Sequence, residues 1–483
     1  MNHLDQSTND HNQIKMSKID DVCVVMVPFT AQGHLNQLLH LSRLISAYNL
    51  PVHFVCATTH TRQAKLRNHG WDPLSIHFHE FQYLPSKTHH PTPTPPLRFP
   101  NHLMPAFKAI MSHLREPIAK LLSDLSPTAK RIVIIHDYLM SSVVQDFSSV
   151  ANAEVYMFQS CCAFTAFWYH WEETKTVKLD DETELLRKNV LPSLEGCFSN
   201  EFFEFLESED SSFKKISSGT LYDTSKVFEE KYLELLKCES GSGTTKNWAI
   251  GPFNPISVTN HKNTSTESRR ILNWLDKQEE NSVIYVSFGT TVSLTDVEIE
   301  AIAMGLEQSG RKFIWVVREA DKGDIFEEGD DDRRAELPEG FENRVETNGV
   351  GVVVRGWAPQ VEILGHSSTG GFMSHCGWNS SMEAITMGVP IAAWPMHSDQ
   401  PRNAVLITAV LGVGIYAREW KRRDEKVAAS MVEAAVRWLM SSEEGCLVRK
   451  KAAELGVKVR RSVEEGGVMR KELDAFVAEI TRS

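Results

Sequence analysis

A chain of 483 residues, 42% hydrophobic and 24% charged, is long enough for two domains that each bury a core. A net charge of −12 without any basic cluster speaks against a nucleic-acid partner, which needs a concentrated cationic face. No run approaches the roughly 18 apolar residues of a membrane span, residues 1–20 hold no apolar signal core, and eight scattered cysteines show no metal or disulfide spacing, so the composition predicts a cytoplasmic monomer with free thiols and no membrane contact.

Residues 1–20 are polar and read as a disordered tail. The apolar run Val22 to Val27, a glycine-containing turn, the helical stretch Leu35 to Ile45 and a second apolar run Val52 to Ala57 then make a β-α-β opening. Residues 85–100 (PSKTHHPTPTPPLRFP) are too proline-rich for a helix or central strand and predict a loop near the ligand face. Two more strands, Arg131 to His136 running into Asp137 and Glu154 to Phe158, extend a parallel sheet. The aromatic stretch that follows leaves two readings open, because Phe164, Phe167 and Trp168 suit either stacking on a planar ligand or plain core. Residues 192–198 are a further candidate wall of the same pocket.

Aperiodic residues around 253–270 mark a linker, and a second cycle begins with strand Ser282 to Phe288, the turn Gly289-Thr290-Thr291, helix Asp296 to Ser309 and strand Lys312 to Val317. The acidic stretch 327–332 includes Asp330-Asp331-Asp332, a DxD pattern of metal-dependent sugar transferases. Without a histidine or second carboxylate pair to complete a cation shell, it reads as a solvated loop, and no metal site is predicted. From Val432 onward the chain reads as amphipathic helix throughout. The units expected are therefore 21–252, the linker 253–270, 271–465 and a terminal helical piece 466–483, an α/β architecture with two parallel sheets across a cleft.

The densest signal lies between Trp357 and Gln400. Trp357 offers a flat face for a base. The segment His375 to Ser381 leads into a helix whose unpaired N–H groups suit an anion, with His375, Asn379 and Ser380 as added donors and Thr290 near them. Glu383 can accept from ribose hydroxyls, and Asp399 with Gln400, at a strand's carboxyl end, suit the hydroxyls of a hexose. In the first unit, His34 follows strand one at a helix start, where the positive helix end favours the neutral ring, so it is the candidate base. Asp137 is the carboxylate that would orient it. A rival hydrolase reading of Gly365-His366-Ser367-Ser368-Thr369-Gly370 fails, because Thr369 stands where the nucleophile elbow needs glycine.

The stretch Trp357 to Gln400 resembles, at full length, the signature of the family 1 UDP-glycosyltransferases of plant secondary metabolism, and the wording of ValProPheThrAlaGlnGlyHisLeuAsnGln and SerPheGlyThrThr is similar too. The zeatin O-glucosyltransferases are the subgroup it resembles most, including Leu35-Asn36-Gln37 where the family commonly has Ile-Asn-Pro. The resemblance implies the GT-B fold, two Rossmann-like domains facing across a cleft, with the last helical turns packed back on the first. It implies inverting, metal-independent transfer from a UDP-sugar, a co-substrate and not a cofactor, to a hydroxyl of a small hydrophobic acceptor. Residues matching Trp357, Ala358 and Gln360 would hold uracil and ribose, those matching His375, Trp378, Asn379 and Ser380 the diphosphate, Glu383 the ribose, and Asp399 with Gln400 the sugar. His34 matches the catalytic histidine and Asp137 its aspartate. Glucose on zeatin is the reading taken, with flavonoid or terpenoid acceptors, or xylose, left open.

Overall fold

The computed structural model describes residues 20–58, 76–81, 99–213, 217–239, 246–256, 265–290, 294–317 and 336–482. The tail as far as residue 19, most of the proline-rich stretch (85–98), the middle of the linker (257–264) and the acidic run 327–332 lie outside them.

Two parallel sheets organise the rest. The first holds β1 (Asp20–Val27), β2 (Val52–Ala57), β3 (Ile76–Phe81), β4 (Ala129–Asp137), β5 (Ala153–Gln159), β6 (Gly219–Tyr222) and β7 (Lys246–Ala249), in the order β3-β2-β1-β4-β5-β6-β7. The second holds β8 (Val283–Ser287), β9 (Lys312–Val316), β10 (Gly351–Val354), β11 (Thr369–Ser374), β12 (Ile391–Ala393) and β13 (Gly414–Tyr416), in the order β10-β9-β8-β11-β12-β13. Continuous apolar runs such as Val22 to Val27 exist because helices cover both faces of a parallel sheet, and those six side chains are all at most 5% exposed. The expected α/β architecture and the main strands of both cycles are thus present. β3, β6, β7, β11 and β13 are additions to the expected list; β6 and β7 have four residues each and β13 three, too short for periodicity to register.

In each sheet the strand order reverses once, between β1 and β4 in the first and between β8 and β11 in the second. Connections leave such neighbours in opposite directions, so a crevice opens beyond their carboxyl ends and ligands collect there. Helix Gln32–Ser46 starts just after β1, and Asp137 ends β4. Gly289 and Thr290 follow β8, and His375 follows β11.

The carboxyl-terminal segment is three helices, Ala429–Ser441, Glu443–Ser462 and Val468–Ile480, not the unbroken helix expected. Ser442 leaves helical geometry to cap the second helix through Gly445 N–H, and Gly466 adopts φ 77° ahead of the third, a conformation that costs glycine little. The third buries Met469, Leu473, Phe476 and Ile480 against Tyr156 and Trp248 of the first sheet. That spacing of four, three and four residues makes one apolar stripe.

Candidate active site

The two crevices meet in one cavity of about 1800 Å³. His34, in the first turn of its helix, enters it with 23% of its side chain exposed, while Asp137 is fully buried beneath it. His34 Nδ1 lies 2.7 Å from Asp137 Oδ2, and Asp137 Oδ1 accepts the N–H of Leu139 at 3.0 Å. Each carboxylate oxygen therefore has its own donor. With its proton on Nδ1 and held by Asp137, the neutral ring turns the Nε2 lone pair away from the aspartate.

Burial alone would depress the basicity of His34, but the charge and hydrogen bond of Asp137, with a smaller contribution from Asp399, outweigh it and raise the imidazole above its ordinary value. This corrects the expectation that the helix end would favour the neutral ring: a bonded carboxylate at 2.7 Å outweighs the partial charge of a helix terminus.

The residues expected to hold the donor stand on the second sheet. Helix Trp378–Met387 begins with no side-chain cap at Gly377, which leaves its first N–H groups for a ligand. Cys376 holds a left-handed φ of 66° in the turn leading to it. Beside that turn, burial pushes His375 down to about 4 against a smaller opposing contribution from the Ser287 main chain, so its ring is neutral. Gln360 Nε2 bonds both Ser380 Oγ (2.9 Å) and Glu383 Oε2 (2.6 Å), and Asn379 Nδ2 donates to Glu383 Oε1 (3.0 Å). Burial lifts the Glu383 carboxyl to about 7 while those two amides hold it down. Trp357 is 40% exposed, Ala358 is buried, and both line the cavity. Thr290, Asp399 and Gln400 also line the cavity. Gln400 Oε1 accepts the N–H groups of Met396 and His397, which fixes the turn before it.

Trp378 is placed otherwise than a side-chain ligand would be. Its indole N–H donates to Asp223 O at 2.7 Å, across the junction between the sheets, and its ring packs near Phe228. Only its main chain, at the helix start, is available to an anion.

The acceptor side requires a correction. Phe164, Phe167 and Trp168 are fully buried in a cluster with Tyr232 and do not line the cavity. Helix Ala163–Thr174 turns Ala166, Tyr169, His170 and Glu173 to the cavity instead, at the i, i+3, i+4, i+7 spacing, which puts residues 164, 167 and 168 on the opposite face. The aromatic wall comes from scattered segments: Phe29, Phe99, Phe107, Phe198 and Phe202. Phe198 and Phe202 stack at 5.1 Å and 8°, and Phe29 meets the His34 ring edge-on at 5.3 Å. Of the candidate walls read from the sequence, 192–198 contributes Phe198, and Phe99 and Pro100 are the described part of the proline-rich stretch. Among the described residues no group of His, Cys, Asp or Glu is arranged to hold a metal ion.

Two family models match the chain: glycosyltransferase, N-terminal domain, over residues 20–255, and UDP-glucoronosyl and UDP-glucosyl transferase over residues 250–437. A zeatin O-glucosyltransferase of Phaseolus lunatus is 53% identical over 95% of this chain and 97% of its own length. A zeatin O-xylosyltransferase of Phaseolus vulgaris is 51% identical, covering 95% and 98%. Among solved structures, a ugt transferase from Siraitia grosvenorii in complex with UDP superposes with a TM-score of 0.74 at 28% identity, covering 96% of this chain and all of that one.

Proposed function

The chain belongs to the UDP-glucoronosyl and UDP-glucosyl transferase family, and from that premise we propose that it moves glucose from UDP-glucose to the side-chain hydroxyl of zeatin, with inversion and without a metal ion. The observation that carries this reading is the His34–Asp137 pair, which shares one cavity with the open start of helix Trp378–Met387. Both bean relatives are named for zeatin, one for glucosyl and one for xylosyl transfer, so UDP-xylose is the second donor reading.

In this mechanism neutral His34 takes the hydroxyl proton at Nε2 as the acceptor oxygen bonds to the anomeric carbon. The bond from that carbon to the diphosphate oxygen breaks on the opposite face, and UDP leaves with the electron pair. Asp137 stabilises the imidazolium that results. Charge growing on UDP meets the helix N–H groups, His375, Asn379, Ser380 and Thr290, which supply the stabilisation a cation would otherwise give. Trp357, Ala358, Gln360 and Glu383 hold uridine, and Asp399 with Gln400 hold the sugar. The aromatic wall takes the purine and its isoprenoid tail. A cytosolic setting is part of the reading, supported by eight cysteines of which none is joined in a disulfide.

The test is kcat/KM for UDP-glucose and for UDP-xylose with trans-zeatin and EDTA present. Glucose is expected to be preferred; preference for xylose replaces the donor reading, and turnover of a flavonol with none of zeatin replaces the acceptor reading.

Gly289 supplies a separate prediction for the diphosphate site. It sits at φ 83°, and a Cβ there would come 2.6 Å from His375 Nε2. Gly289→Ala is expected to weaken UDP binding by about tenfold in calorimetry, because both the backbone and the ring must shift. Unchanged UDP affinity would remove His375 from the diphosphate site.

A further inference from the structure

Helix Gln400–Val405 starts at the Asp399–Gln400 turn, and its Asn403 is fully buried with every polar atom in use. Asn403 Oδ1 accepts the hydroxyl of Thr165 at 2.9 Å and the thiol of Cys162 at 3.3 Å, both at the start of helix Ala163–Thr174 in the acceptor-side lobe. On its other side, Nδ2 donates to Asp399 Oδ2 at 2.8 Å and to Cys376 O at 3.0 Å. One carboxamide thus joins the first lobe, the carboxylate read as holding the sugar, and the turn that precedes the diphosphate-binding helix start.

Both turns need holding. Cys376 at φ 66° and Ser398 at φ 57° are left-handed without being glycine, a conformation that persists only where the surroundings enforce it. Ser398 N–H is pinned by Cys197 O at 2.8 Å, again from the first lobe. The acceptor-lobe anchor is itself rigid, since the buried Glu229 caps that helix by accepting the N–H groups of Ala163 and Phe164 at 3.2 and 2.7 Å. Next along the chain, the buried Arg402 reaches Glu172 of the same helix at 2.5 Å and covers the ring of Tyr169.

We propose that Asn403 is a positioning residue for the transfer reaction: by tying Asp399 and Cys376 O to Thr165, it sets where the sugar and diphosphate sites stand relative to His34. Replacing a hydrogen-bond partner inside such a network leaves the other members free to relax, so the loss appears mainly at Asp399, the group Asn403 orients. The inference rests on the assignment of Asp399 to the sugar made above.

A double-mutant cycle tests it, with Asn403→Ala and Asp399→Ala alone and together, reading kcat/KM for UDP-glucose and the affinity for UDP. Asn403→Ala is expected to lower kcat/KM by about tenfold in the wild-type background and by less than about twofold in the Asp399→Ala background. Thr165→Val, which keeps the shape and removes the anchoring hydroxyl, is expected to reproduce a smaller loss of about threefold with the same dependence on Asp399. It carries the test if Asn403→Ala does not fold. Equal losses in both backgrounds would overturn the inference while leaving the sugar assignment intact. An Asp399→Ala variant as active as wild type would remove the sugar assignment and the inference with it.

Discussion

His34→Ala is expected to lower zeatin-dependent UDP release by about 10³-fold, the range of a positioned general base, while UDP affinity stays within about twofold. The separation follows from position. His34 belongs to the first sheet's crevice, and the diphosphate and uridine contacts proposed here come from the second. Calorimetric titration of the variant with UDP, beside its turnover, measures both terms. A residual rate within tenfold of wild type would mean that another group, or water, accepts the proton.

Asp137→Asn comes second, with an expected loss of about 10²-fold for a reason specific to this geometry. Asp137 Oδ1 already accepts the Leu139 N–H, so an asparagine would keep its carbonyl oxygen there and turn its NH₂ toward His34 Nδ1. The ring would then accept at Nδ1 and carry its proton on Nε2, where the mechanism needs a lone pair. The same substitution should move the pH profile. Asp137 holds the His34 imidazole above its ordinary value; the base works unprotonated, so kcat/KM falls as pH drops through that raised value. Without the carboxylate, burial dominates and the acid limb shifts to lower pH. A limb that stays in place in Asp137→Asn would assign it to another group.

Much of this was legible in the sequence because its signals are local. The stretch from Trp357 to Gln400 runs through the ends of β11 and β12 and a helix start, so residues close in sequence line the same crevice. His34 is legible as a polar residue at a helix start after the first apolar run, and Asp137 as the carboxylate ending another, although the chain gives no distance between positions 103 residues apart. What escaped was set by packing between distant segments. The face of helix Ala163–Thr174 is one case: both faces carry aromatics, and only its tertiary neighbours make Phe164, Phe167 and Trp168 core and Tyr169 cavity. Asn403 is another. It reads as an ordinary polar helix residue, and its four bonds exist only once two lobes and two turns have met. Trp378 shows a limit of motif reading, since its place in the stretch is as expected and its indole serves the junction between the sheets.

In the proposed reaction glucose passes from UDP-glucose to zeatin and UDP is released. The measurement that meets it most directly quantifies UDP and zeatin glycoside together, with the anomeric configuration of the product, from purified protein, UDP-glucose and trans-zeatin in EDTA. One β-configured O-glucoside is expected for each UDP released. UDP released without glucoside, an α-configured product, or silence with zeatin in a protein that still binds UDP would contradict it.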